Sequence, residues 1–389
     1  MKIGIAANYL LFEPAGIGKY TENLLKNLFK IDHKNQYFLY FSYLRHRRAR
    51  LKLIQKRLGK LPKNVTMKIF PIPAAWLEYL LSTRLPLTNY LTENLDVFFS
   101  PYVSSLPKKG FTNSNTRIVS TIHDLVFMRF PSHRGRSLSN SYFRRHKIAV
   151  EVSCKIIVPS KATKEDLEKF LKVNSRKITI IPEAADSRFR VIKKNADQNE
   201  ILKVIGKYFD ANKKYILTVG TLEPRKNLAK LVEAFSILPY QILKEYCLVI
   251  VGGKGWNNQL LEKTINNLNI KDKVILAGFV LDEDLPYIYN GASIFVYPSL
   301  YEGFGLPPLE ALACGIPIIA SKVSSLPEII GDAGLFVNPQ SEVEIASAIK
   351  KLLGSPNLRK KLAKRGLLRA QKYSWAKTAQ KTLDVFERV

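Results

Sequence analysis

The chain has 389 residues, 46% of them apolar, and a formal net charge of +29. That length holds two ordinary domains, each with its own core, and the absence of an uninterrupted apolar run of about 18 residues argues against a membrane-crossing helix. Such a positive balance favours an anionic partner, whether a phosphate-rich substrate, a membrane surface or nucleic acid. The three cysteines, Cys154, Cys247 and Cys314, sit in apolar stretches without metal-site spacing, as reduced core thiols of a cytosolic protein would.

In chain order, strand-like and helix-like stretches alternate. Residues 1–7 read as a buried first strand rather than a signal peptide. Pro14-Ala15-Gly16-Ile17-Gly18-Lys19-Tyr20 holds half a dinucleotide fingerprint, Gly16 and Gly18, without a third glycine. It reads as a flexible loop that lets a substrate approach the backbone, or as a plain turn into the helix predicted over 21–30. Strands are predicted at 37–43 and 65–70. No acid lies between His33 and Leu77, whereas Arg45, Arg47, Arg48, Lys52 and Arg57 stand among the cations there. Leu44, Leu51, Ile54, Leu58 and Leu61 fall at helical spacing, the pattern of a basic amphipathic helix that docks on anionic lipid. Alternatively these residues pack on the sheet and the basic face is merely solvated. The apolar stretch 74–90, with Trp76, reads as an interfacial anchor or acceptor groove, and a second cationic run extends from Arg129 to Lys147.

Short strands follow at 96–100, 117–121 and 155–159. His123-Asp124 closes the apolar run 118–122, so the pair is expected at the carboxyl end of a strand, where such sheets bind ligands; a buried structural histidine is the alternative. Residues 186–215 are polar, and the linker with one short helix is placed over 187–212. A second series of strands is predicted at 215–219, 247–251, 274–277, 292–296, 317–320 and 334–337. The expected fold is α/β: two tandem Rossmann-like domains, 1–186 and 213–373, with the active site in the cleft between them. Trp375, Ala379, Leu383 and Phe386 mark a C-terminal helix, 374–389, packing back on the body.

Two segments of the second half carry chemistry. Gly220-Thr221-Leu222-Glu223-Pro224-Arg225-Lys226-Asn227 follows a strand and precedes a helix. Arg225 and Lys226 there are suited to neutralise a diphosphate leaving group. Further on, Tyr301-Glu302-Gly303-Phe304-Gly305-Leu306-Pro307-Pro308-Leu309-Glu310 places a glycine turn at the start of a helix, between two carboxylates. Backbone N–H groups at such a helix start suit a phosphate. Glu302 and Glu310 can reach past that phosphate in opposite directions, which matches the hydroxyl–diphosphate–hydroxyl layout of a nucleotide sugar.

Together these residues resemble glycosyltransferase family 4, whose members are retaining enzymes with the GT-B fold, over nearly the whole chain and most specifically in Glu302 and Glu310 with seven residues between. The resemblance implies that Glu310 binds the ribose, Glu302 the donor sugar's hydroxyls, and Arg225 and Lys226 the diphosphate. It places His123 near the sugar at the reaction centre, Gly16 and Gly18 in the N-terminal glycine loop, and Gly278-Phe279-Val280 where backbone meets the nucleobase. Gly220, Val280, Gly303, Phe304, Gly305 and Leu306 complete the implied donor site. Two departures stand out: Ile181-Pro182-Glu183-Ala184-Ala185-Asp186 replaces the usual Ile-Pro-Asn-Gly, and Ala15 stands where a first glycine is common. Glu-Pro-Arg-Lys-Asn looks most like bacterial mannosyl- or rhamnosyltransferases of cell-surface polysaccharides.

The expected reaction is transfer of a hexose, mannose or similar, from a nucleoside-diphosphate sugar to a hydroxyl acceptor with retention. The acceptor would be a glycan or lipid-linked precursor at the inner face of the cytoplasmic membrane. No cofactor or metal is expected, because the cation pair takes over the charge. Two other readings are a glycoside hydrolase using Glu302 and Glu310 as its carboxylate pair, and a non-catalytic basic protein that binds membrane or nucleic acid. Nucleic acid is the less favoured partner, since aromatics do not interleave the basic tracts.

Overall fold

The computed structural model describes residues 1–389 except 12–15, 44–46, 74–93, 104–105, 107–114, 132–135, 193, 254 and 256–258. Residues 1–183 and 374–389 form one compact unit and residues 184–373 another.

In the first unit seven parallel strands are ordered β3-β2-β1-β4-β5-β6-β7. They are β1 (Lys2–Ala6), β2 (Gln36–Ser42), β3 (Val65–Phe70), β4 (Val97–Ser100), β5 (Arg117–Thr121), β6 (Lys155–Val158) and β7 (Ile178–Ile180). Central strands such as β2 (Gln-Tyr-Phe-Leu-Tyr-Phe-Ser) are apolar almost throughout because helices cover both faces of a parallel sheet. β7, only three residues long, carries no periodicity to betray it. The helix Gly16–Ile31 buries Tyr20, Leu24, Leu25 and Leu28. Gly16 and Gly18 form its first turn and are not a loop, which corrects the first expectation for that segment.

The last helix, Trp375–Glu387, belongs to this first unit, although its residues follow the second in sequence. Ser374 caps it by accepting from the Lys377 amide. Trp375 meets Tyr20 edge-on at 5.8 Å, Phe386 meets Phe99 at 5.1 Å, and Thr378 Oγ1 donates to the Pro182 carbonyl at 2.7 Å.

The second unit repeats the architecture with six parallel strands ordered β10-β9-β8-β11-β12-β13. These are β8 (Lys214–Val219), β9 (Tyr246–Val251), β10 (Val274–Gly278), β11 (Ile294–Tyr297), β12 (Ile318–Ser321) and β13 (Gly334–Val337). Residues 187–212, read from sequence as linker and short helix, are part of this unit. Phe189 and, on the helix Lys194–Ile205, Ile201 and Ile205 are buried in its core. Polar composition hid those three anchors.

In both sheets the strand order reverses once, between β1 and β4 and between β8 and β11. In doubly wound folds loops at the carboxyl ends of such a pair diverge and leave room for a ligand. In the second unit the two loops are Gly220–Asn227 after β8, which the sequence singled out, and 298–305 after β11, which ends in the singled-out turn from Tyr301.

Candidate functional site

The loop after β8 is shaped by its backbone contacts. A Cβ on Gly252, just past β9, would lie 1.9 Å from the Gly220 carbonyl oxygen, and one on Gly255 would lie 2.2 Å from that of Leu222. Only glycine fits at either position, so the loops after β8 and β9 touch backbone to backbone. Pro224–Lys226 then form one 3-10 turn, ended by Asn227 in the left-handed conformation at φ +58°. Asparagine tolerates that conformation. The Asn227 side-chain amide (Nδ2) donates to the carbonyls of Pro298 (3.2 Å) and Pro339 (2.6 Å), and the Leu300 backbone amide donates to the Arg225 carbonyl at 2.8 Å. The two loops are therefore stitched together.

Glu302 is the hub of this junction. Its Oε2 accepts from Arg225 Nη1 at 2.6 Å. Its Oε1 accepts from Lys226 Nζ at 2.7 Å, Ser299 Oγ at 2.8 Å and the Tyr297 hydroxyl at 3.0 Å. Lys226 also donates to Tyr297, and Arg225 pairs with Glu223 and donates to the Tyr301 carbonyl. Burial works to raise the Glu302 pKa, but Arg225 and Lys226 outweigh it and hold the carboxyl at about 2. For Lys226 the balance goes the other way: burial and then Arg225 pull the ammonium below its usual range against Glu302. The cluster thus holds a firmly ionised carboxylate against two cations, one of them with a depressed pKa.

The turn that follows is tied down through its carbonyls. Ser325 Oγ donates to the carbonyls of Glu302 (3.0 Å) and Phe304, and the Glu302 amide donates to Ser324 Oγ at 2.9 Å. Gly305 caps the helix Leu306–Ala313 at φ +115°, a conformation that favours glycine. Pro307 and Pro308 occupy the first turn, where missing amides cost nothing.

Glu310 lies on that helix, buried, and accepts from the Tyr289 hydroxyl at 2.9 Å. Rings of Tyr289, Phe295 and Tyr297 follow one another at centroid distances of 5.5 and 5.7 Å. The two carboxylates therefore anchor on opposite ends of one aromatic row. A glycosidase needs a carboxylic acid that stays protonated to release its leaving group, and Glu302, held at about 2, is the reverse of that.

Several implied donor-site residues have side chains packed into the core. The Phe304 side chain packs with Leu309 and Ile329 and meets Tyr373 edge-on at 5.9 Å, and Leu306 covers the same cluster. Val280 is buried in the core of the unit, whereas its neighbour Phe279 is 56% exposed.

In the first unit, His123 follows β5. Its Nδ1 lies 3.0 Å from Glu183 Oε1 and its Nε2 lies 2.9 Å from the Pro101 carbonyl oxygen. Gly16 and Gly18 lie on the helix that also carries Tyr20, whose ring meets His123 edge-on at 4.6 Å.

The basic tract divides. Arg48 and Lys52 are exposed on the helix Arg47–Leu58, as is Lys56. Arg57 is corrected: it is buried, donates to the Leu10 carbonyl at 2.8 Å and lies 4.0 Å from Glu22, so it anchors the helix rather than facing outward. Arg45, Trp76 and the side chain of Arg47 lie outside the described residues.

Sequence reasoning missed Tyr297, Ser299, Ser325, Tyr289, Glu223 and Glu183, each an ordinary polar residue until its partner is known. A signal did exist for Gly252 and Gly255, which form a glycine cluster at the end of an apolar strand.

Comparison with known proteins decides the class. The sequence pattern of Glycosyltransferase Family 4 matches residues 14–189 and that of Glycosyl transferases group 1 matches residues 198–369. O-antigen chain mannosyltransferase B of Escherichia coli is 31% identical over 74% of this chain and 75% of its own.

The chain belongs to glycosyltransferase family 4.

It is a glycosyltransferase, and the hydrolase and the non-catalytic binding protein fall away. Serotype-specific mannosyltransferase WbdA of Escherichia coli is 31% identical over 74% of this chain but only 35% of its own length. Among solved structures, sucrose-phosphate synthase from Thermosynechococcus elongatus superimposes with a TM-score of 0.76 at 20% identity, covering 100% of this chain and 98% of that one. The lipopolysaccharide glycosyltransferase WaaG gives 0.70 at 16% identity over 99% of each chain. These likenesses establish the GT-B fold. Among the described residues no helix is long and apolar enough to cross a membrane.

Proposed function

We propose that this glycosyltransferase moves a mannosyl residue from a nucleoside-diphosphate sugar to a hydroxyl of a lipid-linked or cell-surface polysaccharide precursor, with retention. The observation that carries the reading is the Arg225–Lys226–Glu302 cluster beside the glycine-capped helix start. Two cations at the strand end neutralise the diphosphate as its charge develops in the transition state, the charge that a divalent metal supplies elsewhere. Glu302 positions the donor sugar, Glu310 the ribose, and His123 attends the sugar being moved. The named relatives support mannose and O-antigen chemistry, since mannosyltransferase B and RfbU of Salmonella typhimurium are both O-antigen chain enzymes.

A thermal-shift panel of GDP, UDP and their mannose and glucose derivatives tests the donor site. A nucleotide at a hundredfold excess over its Kd stabilises the folded protein by about 2.7 kcal/mol, so one base of the panel should raise the melting temperature. No shift with any nucleotide contradicts the reading.

The exposed cations Arg48, Lys52 and Lys56, together with Arg144 and Lys147, suit peripheral attachment to an anionic membrane, where a lipid-linked acceptor resides. Each cation near such a surface contributes about 1 kcal/mol. Replacing Arg48, Lys52 and Lys56 by alanine should therefore weaken co-sedimentation with vesicles rich in phosphatidylserine by roughly a hundredfold at low salt. Equal binding by the triple variant would remove this attachment site.

A further inference from the structure

Glu183 stands at a position where the sequence leaves its family's pattern, in Ile181-Pro182-Glu183-Ala184. It is buried, as are Ile181 and Ala184 on either side. Its carboxylate reaches His123 across 60 residues of sequence, at 3.0 Å. The other ring nitrogen of His123 faces the Pro101 carbonyl oxygen at 2.9 Å. A carbonyl oxygen can only accept, so Nε2 carries a hydrogen; an ionised carboxylate can only accept, so Nδ1 carries one too. Both hydrogens are then spent on protein acceptors. An imidazole in this state has no lone pair to take a proton and no N–H left to give.

The ring plane is fixed from the sides as well. Tyr20, on the helix Gly16–Ile31, meets it at 84°, and Tyr102, just after β4, lies with its centroid 6.5 Å away. The Thr163 hydroxyl donates to the His123 carbonyl at 3.2 Å. Among the described residues the titratable groups facing His123 are Glu183, its neighbour Asp124, Tyr20, Tyr102 and, from the helix Arg136–Val152, His146. Burial lowers the pKa of His146 and so disfavours a competing positive charge there.

We propose that Glu183 is a positioning residue for sugar transfer: it holds His123 as a fixed imidazolium, which serves as an oriented positive charge and not as an acid or base. The proposal rests on the reading of His123 given under Proposed function. Burial by itself would lower the His123 pKa, and Glu183, then the Pro101 carbonyl and Asp124, reverse that direction.

The experiment follows the Cε1 proton of His123 by NMR in protein with labelled histidine. There are five histidines, and the His123 signal is assigned by its loss in His123→Ala. In the wild type the titration midpoint should lie above 6.5. In Glu183→Gln, which keeps the size and loses the charge, it should fall by about one unit or more. kcat should fall roughly ten- to a hundredfold with little change in the donor KM, and the alkaline limb of the kcat profile should move down with the NMR midpoint. Glu183→Asp should recover part of both. An unchanged midpoint in Glu183→Gln would overturn the proposal, as would a shifted midpoint with unaltered kcat and pH profile. Should Glu183→Gln fail to fold, Glu183→Asp carries the comparison, and a midpoint and profile identical to wild type there would overturn it equally. A wild type without turnover on any nucleotide sugar would sink the donor reading instead, while the NMR midpoints, which need no substrate, still decide whether Glu183 holds the imidazolium.

Discussion

Replacing Arg225 and Lys226 together by alanine should reduce turnover by at least roughly a thousandfold, because a single preorganised donor to a developing anion is worth a factor of about 100 to 1000 in kcat. The loss should fall on kcat more than on the donor KM, since the charge that the two cations meet grows as the diphosphate departs. The same variant should show an inverted acid response. In the wild type the Glu302 carboxyl sits at about 2 in the folded protein against an ordinary 4.5. That depression contributes stability above pH 4.5, and the contribution fades as pH falls toward 2. Without Arg225 and Lys226 the carboxylate is buried with, among the described residues, Ser299 and Tyr297 as its remaining side-chain donors, and desolvation pushes its pKa upward. The double variant should then be least stable at neutral pH and regain stability as pH falls through the carboxylate range. Urea midpoints at pH 7 and pH 4 check the sign. A midpoint that drops on acidification by as much as in the wild type would mean that the pair does not hold Glu302.

Glu302→Gln is the complementary experiment and should also cost most of the activity. It leaves the buried Lys226 and the half-buried Arg225 without that carboxylate, while Glu223 still pairs with Arg225. Breaking a buried ion pair from one side costs roughly 3–5 kcal/mol. Here part of that is relieved, because Lys226, already drawn below its usual range by burial and Arg225, can shed its proton once Glu302 is gone. The variant should therefore be destabilised most at low and neutral pH, and the gap from wild type should narrow as pH rises through the lowered lysine range. A lysine folded with a depressed pKa costs stability while the solution is acidic enough to protonate it in the unfolded chain, which is the sign expected here. On the proposed reading the kinetic consequence is twofold: the donor sugar loses its anchor, and the diphosphate loses the charge on Lys226. A variant with wild-type stability across this range would show that Glu302 does not balance the cations.

Both effects arise at a junction largely legible in the sequence. The alternation of apolar strands and helices identified two doubly wound sheets, because a parallel strand buried on both faces writes itself as an uninterrupted apolar run. Glu302, Arg225 and Lys226 were recognisable because glycine and proline around them have few other uses at a strand end. The partners that decide their protonation were not. Tyr297 and Ser299 point at Glu302 only because β11 ends where it does, and Tyr289 reaches Glu310 from a different helix. The glycine pair Gly16 and Gly18 reads equally well as loop or first helical turn, and the helical face of Tyr20, Leu24 and Leu28 settles it. Arg57 looked like any other cation of its tract; only the Leu10 carbonyl beneath it shows it to be an internal anchor. Residues 187–212 looked like a linker since only a few buried side chains, Phe189, Ile201, Val204 and Ile205, carry their packing.

The central claim is transfer from a nucleoside-diphosphate sugar with Arg225 and Lys226 neutralising the leaving group. It is tested most directly by supplying radiolabelled nucleoside-diphosphate mannose and a solubilised bacterial lipid fraction as acceptor, and measuring nucleoside diphosphate released against label incorporated. The account predicts one diphosphate per mannose transferred by the wild type, an α-linked product from an α-linked donor, and a rate at least roughly a thousandfold lower in the Arg225→Ala, Lys226→Ala double variant. Wild-type rates in that variant, or a product of inverted configuration, would contradict it.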